Sequence, residues 1–238
     1  MKTILSLVIL FLTTPIIAQG SIYKFDSYTL KIDSTSIKAY SIVNSLFYSK
    51  LFSNIDTNFI DLDSDGVNEL LIIDKKLNRD DIFYTIYIYN TIDTFYLADS
   101  IYSGRFEPSP EYSEDIGSTV IAAGMPDFDS LITSDSIFSL PVNFWKYEDG
   151  ALFIANVSIY DLFMIQNEEL LNEIENYLNS EGGDCKSSEK LKSIIASVYI
   201  NYLSAGEKSV ASQFLKEYYL CSGLGKFKSQ LIRMFNNQ

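Results

Sequence analysis

The prevailing period of the apolar residues changes near residue 157, and that change limits what the two parts can become. Before it, short runs rich in Tyr, Phe, Ile, Val and Thr alternate with polar residues, the period of a half-buried strand. After it, apolar residues recur three and four apart, the period of one helix face. The expected fold class is therefore α+β. A β-rich part of antiparallel strands and hairpins spans residues 19–157, and a C-terminal helical segment with an αα-hairpin spans 158–238.

Within the first part, residues 20–33 read as a strand or strand pair. Ile42, Val43, Leu46, Phe47 and Leu51 stand at helical spacing, which predicts a helix over 37–52. Asn58–Leu62 and Leu70–Asp74 read as short strands flanking an acidic loop, and Ile82–Tyr89, Thr94–Tyr102 and Ser118–Ala123 as further strands. Residues 103–117, with two prolines and four acids, read as loop. Asp149-Gly150 between Asn143–Tyr147 and Ala151–Val157 is a strong hairpin signal, because both turn positions tolerate positive φ. Trp145, the single tryptophan, falls in the first of these strands, with core packing as its expected role and an exposed ring that binds sugar or peptide as the alternative.

In the second part, Asn167 reads as an N-cap with Glu168 and Glu169 in the first turn, where the helix dipole favours acids. Leu170, Leu171, Ile174 and Leu178 form its stripe, and Gly182-Gly183 ends it. Leu191, Ile194, Ile195, Val198 and Tyr202 mark a second helix, and Val210, Phe214, Leu215 and Tyr218 a third, with Gly206 between them. A last short helix follows Gly225. The sequence holds no internal repeat and no low-complexity tract.

Residues 1–18 stand apart from both parts. Lys2 precedes the apolar run Ile4–Leu12, and Ile16-Ile17-Ala18 before Gln19 forms a cleavage site, the layout of a secretory signal peptide. The run is about half the roughly 20 apolar residues that span a bilayer. The expected location is exported, periplasmic or extracellular, with no membrane insertion after cleavage. Cleavage removes one lysine and no acid, so the mature chain is one unit more negative than the formal charge of −13. Such a charge repels phosphate backbones and argues against nucleic acid as a partner. The chain contains no histidine, which excludes Ser-His-Asp and Cys-His nucleophile systems and the common zinc sites.

The acidic loop Asp61-Leu62-Asp63-Ser64-Asp65-Gly66-Val67-Asn68-Glu69 carries the clearest chemistry. Calcium takes six to eight oxygens, and side chains at positions 1, 3 and 5 of a turning loop converge on one point. Those positions are Asp61, Asp63 and Asp65. Gly66 supplies the sharp turn at position 6, Val67 its backbone carbonyl at position 7, and Glu69 a carboxylate at position 9. Position 12 is Ile72, so the loop lacks the bidentate Glu of an EF-hand, and its flanks read as strands. The stretch over residues 57–73 resembles the calcium loops of FG-GAP and VCBS-type repeats, D-x-D-x-D-G-x-x-[D/E] followed by apolar strand residues. The resemblance implies one Ca2+ at a strand-loop-strand corner. The motif occurs once, whereas the propellers of those families are built from serial copies. The alternative is an acidic turn that holds nothing. A second acidic stretch, Asp127, Asp129 and Asp135, lacks the glycine and reads as solvated loop.

Cys185 and Cys221 are the only cysteines. In an exported chain, with one before the second helix and one after the third, they are expected to form a disulfide that staples the hairpin. The chain-entropy model gives such a loop an upper figure of about 4 kcal/mol. Two function classes follow. The first is a non-catalytic binding or structural module, with calcium fixing a corner and a surface for a macromolecular partner. The second is a secreted hydrolase acting on glycans through a carboxylate pair drawn from Glu107, Glu111, Glu114 or Asp115. The missing nucleophile signature favours the first.

Overall fold

The structure is a computed structural model that describes residues 20–131, 140–181 and 189–237. Its fold is α+β: three antiparallel sheets of four strands each, followed by helices. The first sheet is a meander of β1 (Ser21–Lys24), β2 (Tyr28–Asp33), β3 (Ser36–Ser41) and β4 (Leu46–Leu51). The second is β5 (Ile55–Ile60), β6 (Glu69–Asn78), β7 (Asp81–Asn90) and β8 (Tyr96–Gly104). The third has the order β12-β11-β10-β9, from β9 (Ser109–Ser113), β10 (Ser118–Gly124), β11 (Val142–Glu148) and β12 (Ala151–Ile154). Four helices follow: α1 (Tyr160–Glu181), α2 (Glu189–Ser204), α3 (Lys208–Tyr218) and α4 (Leu224–Phe235).

The layers stack in chain order. Tyr28, Leu30, Ile37 and Ala39 of the first sheet close on Leu70, Ile72, Tyr89 and the β7–β8 turn residue Phe95. On the other face of the second sheet, Leu71, Ile86 and Ile88 meet Ile121, Ala123 and Tyr147 of the third. The helix side of the third sheet, Val120, Ala122, Val142 and Phe144, packs on Phe163 of α1. The largest cluster joins α1–α4 to Met125, Phe128 and Leu140, so the helical core draws on residues from the β-rich part. The run Leu70-Leu71-Ile72 is apolar without alternation because β6 is covered on both faces, and all three are buried. Trp145 packs in the second of these clusters, in keeping with its expected core role.

The Asp149-Gly150 hairpin forms as expected, with φ of 53° and 80° and Glu148 opposite Ala151. The helix expected over 37–52 does not form. Ile37 and Ala39 alternate inward from β3, and the apolar residues at helical spacing are exposed instead, Val43 and Ile42 at 79% and 77%. Residues 103–117 are not all loop either. β9 forms within them as an edge strand, where Pro110 opposite Ile121 costs the ladder no interior bond.

α1 also starts elsewhere than its sequence suggests. Asn167 is not an N-cap but lies inside the helix, 1% exposed, where its Oδ1 accepts from Asn201. The helix begins seven residues earlier, and its cap comes from a distant turn. Asp115 Oδ2 accepts from the amides of Tyr160 and Asp161 at 2.7 and 2.8 Å. Asp161 answers by accepting from Ser113 Oγ and the Glu114 amide. The other helices lie where their stripes put them, and α4 includes Gly225.

Loss of this cap should be measurable. Asp115→Ala is expected to lower stability by about 1–2 kcal/mol in urea unfolding. Glu168→Ala, on the exposed face of α1 and no longer in a first turn, should stay within about 0.5 kcal/mol. The reverse order would contradict a helix start at Tyr160.

Candidate metal centre

β5 and β6 pair in register from Ile55 opposite Asp74 to Ile60 opposite Glu69, which closes residues 61–68 into a loop between fixed ends. Leu62 anchors the loop from below, fully buried against Leu71 and Tyr147. Thr91 Oγ1 donates to the Asn68 carbonyl at 2.6 Å and ties the loop's exit to the β7–β8 turn. Between these anchors the chain turns through positive φ at Ser64, 62°, and Gly66, 88°. A Cβ at Gly66 would meet nothing within 4 Å, so the demand for glycine there is conformational rather than steric.

The aspartates are held by the loop's own amides. Asp61 accepts from Gly66 N at 3.0 Å and from Asp65 N at 3.2 Å, and Asp63 accepts from Asp65 N at 3.3 Å. Asp65 accepts from Val67 N at 2.7 Å. In this arrangement Asp61, Asp63 and Asp65 each offer an oxygen within 4.8 Å of the others. Glu69 is not part of that triad. It is 2% exposed beneath the loop, with Oε2 accepting from the Leu62 amide at 3.0 Å.

Burial raises the carboxyl of Asp63 above its usual range, helped by the charges of Asp65 and Asp61 and opposed by hydrogen bonds from the loop. Burial likewise raises Glu69, with Asp63 and Asp65 adding to it and the Leu62 amide opposing. None of the four ion pairs among the described residues involves these acids. Hard oxygen donors with unneutralised charge, converging from one loop, suit a hard cation, and the flexible shell of calcium better than the strict octahedron of magnesium.

One neighbour escaped the sequence. Tyr147 of β11, 2% exposed, is pushed up to about 12 by burial and by the charges of Glu69, Tyr96, Asp63 and Asp65. It belongs to another sheet, and no local pattern ties it to the loop.

The acids considered for catalysis serve separate elements. Glu107 accepts from Lys75 Nζ at 2.6 Å, and Lys75 also pairs with Asp56 at 2.8 Å. Asp115 caps α1, and Glu114 contributes its backbone amide to Asp161. Glu111 accepts from Ser109 Oγ and lines, with Glu169, a groove of about 230 Å³ floored by Ala122, Phe144 and Leu162. The second acidic stretch is not a solvated loop over its described part. Pro126–Leu131 is a 3-10 turn that buries Phe128 in the helical core. Burial pushes Asp129 up to about 6, although Arg105 beside it pulls the other way. Its Oδ2 would lie 2.6 Å from a Cβ at Gly104. Asp135 lies outside the described residues.

Comparison with family models, curated proteins and solved structures found no match to this chain.

The raised carboxyls make a prediction about the metal-free protein. Asp63, Glu69 and Asp129 hold protons more readily folded than unfolded, so their contribution favours the folded state at low pH. It is lost as pH rises through their folded values, which for Asp129 is a window from the ordinary carboxyl range up to about 6. Urea unfolding in chelator should therefore show the Glu69→Gln protein gaining stability over wild type at pH 7.5 and not at pH 4. An equal gain at both would contradict the burial of a charge at Glu69.

Proposed function

We propose that this chain is an exported calcium-binding protein in which the loop of Asp61, Asp63 and Asp65 holds one Ca2+, and that it works as a non-catalytic binding or structural module. The observation that carries this reading is the convergence of three carboxylates, pinned by loop amides, over a buried fourth at Glu69 that no described cation neutralises. The likeness of residues 57–73 to FG-GAP and VCBS-type calcium loops supports it. Calcium would relieve the mutual repulsion of the aspartates and lock the β5–β6 corner. The Val67 carbonyl and water would complete the shell, while Glu69 holds the Leu62 amide and steadies the loop from beneath.

Export rests on the signal-peptide layout of residues 1–18, which lie outside the described residues. No helix among the described residues is long and apolar enough to cross a membrane. The proposal includes a Cys185–Cys221 disulfide. Cys221 packs half-buried against the helical core after α3, and no described cysteine is free. Cys185 lies outside the described residues. The second reading, a carboxylate-dependent glycan hydrolase, has Glu111 and Glu169 on one groove as its support. Glycan hydrolysis abolished by Glu111→Gln would establish it over the first.

The loop lacks a carboxylate at position 12, so calcium should bind in the weak extracellular range, Kd roughly 10⁻⁴ to 10⁻³ M. Excess calcium should raise the melting temperature and chelator lower it. Asp63→Ala should remove that difference. Gly66→Val should weaken binding through the strained φ of 88°. Trp145 shares a cluster with Leu62 and provides a fluorescence readout. No heat of binding at millimolar calcium, or an Asp63→Ala protein with its calcium shift intact, would refute the site.

The cysteines give a separate check. Thiol reagent should modify neither in unreduced protein from its native compartment, and reduction should lower the melting temperature. Two reactive thiols would remove the staple from the proposal.

A further inference from the structure

The first sheet has one face on the core and one that the described residues leave uncovered. Its register defines the second face. Ile22, Lys31, Lys38 and Ser49 lie in one row across the four strands, and Lys24, Thr29, Tyr40 and Leu46 in the next. The alternate residues Leu30, Ile32, Ile37 and Ala39 point into the core, so both rows point out. Ile22 and Leu46 are 61% and 51% exposed, and the Lys31 ammonium sits over the Tyr40 ring at 4.7 Å.

Three lysines share this face in a chain whose formal charge is −13. Lys31 and Lys38 are direct cross-strand partners, an arrangement of like charges that weakens a sheet. No ion pair among the described residues neutralises either. Among the described residues Asp33 stands at the far end of the face, where its carboxylate accepts from Thr35 and Ser36, and exposed Asp26 lies in the β1–β2 turn beyond Lys24. The two central rows therefore carry lysines and no acid, against the charge of the molecule as a whole.

We propose that the outer face of the first sheet is a docking surface for a linear acidic polysaccharide. Lys24, Lys31 and Lys38 meet its carboxylate or sulfate groups, while Ile22 and Leu46 meet the apolar faces of its sugar rings. Charge complementarity sets the sign of the partner. Size sets its shape: three strands of six residues and one of four present roughly 360 Å², a little under half of what each partner contributes to a standard protein interface. That area suits a chain laid across the strands better than a folded protein or a second copy. Single-stranded nucleic acid stacks its bases on several open aromatic rings, whereas this face has one, half-buried and already covered by Lys31. Nucleic acid and anionic bilayers also carry denser charge, which the acidic remainder of the molecule repels more strongly.

The test uses the mature chain in chelator, so that its outcome is independent of the calcium site. Polygalacturonate should bind at low salt, neutral dextran should not, and added salt should weaken the complex. Lys31→Gln with Lys38→Gln should weaken binding about tenfold or more and reduce the salt slope by about 2. The same variant should melt at or above the wild-type temperature, because the opposed charges are gone. A fold defect would instead lower binding and melting together, and the single variant Lys24→Gln then serves as the second reading, with an expected fall in salt slope of about 1. No binding to polygalacturonate, unchanged binding by the lysine variants, or tighter binding of single-stranded DNA or phosphatidylserine vesicles would overturn the proposal.

Discussion

The second sheet lies between two others, and its central strand β6 is buried from both sides. Leu70 and Ile72 serve the core shared with the first sheet, and Leu71 the core shared with the third. A strand covered this way cannot slip by one residue, since slippage would exchange the two sets of side chains between differently shaped cores. That constraint fixes where β6 begins, at Glu69 opposite Ile60, and therefore fixes both ends of the acidic loop. The geometry of the aspartates is in this sense a product of hydrophobic burial a few residues away.

The same packing explains the electrostatics of the loop. Because Leu62 is drawn fully into the core, the backbone around it follows, and its buried amide needs an acceptor. Glu69 supplies one with its carboxylate, and pays for burial with a raised pKa. The three aspartates above are then kept close by amides whose own hydrogen-bonding needs are met within the turn. Folding thus gathers charge that it does not neutralise, and a cation bound there, as proposed, would relieve an unfavourable term already present in the native state. The outer face of the first sheet repeats this logic with the opposite sign at Lys31 and Lys38.

Elements whose causes lie within a few residues were legible in the sequence. The Asp149-Gly150 turn needs positive φ at two adjacent positions, and the stripes of α2 and α3 recur along one face. The convergence of Asp61, Asp63 and Asp65 follows from their spacing around Gly66. Elements whose outcome a distant residue decided were not legible. Asp115 starts α1 at Tyr160, which leaves Asn167 to be buried against Asn201 rather than to cap. Ile42, Val43, Leu46, Phe47 and Leu51 matched a helical period by coincidence. The residues that organise this stretch are Ile37, Ala39 and Tyr48, which meet the second sheet, and a bulge at Ala39/Tyr40 disturbs the alternation between them.

By itself the sequence determined the division into strands and helices, the acidic loop with its glycine, and the absence of histidine chemistry. These rest on spacing and residue type, which act over one turn or one hairpin. Tertiary structure alone decided that Glu69 lies beneath the triad, that Tyr147 of a different sheet borders it, and that three lysines share a face the other described residues leave uncovered. Such outcomes depend on which face of a strand meets another layer, and that choice is made by packing between segments far apart in the chain.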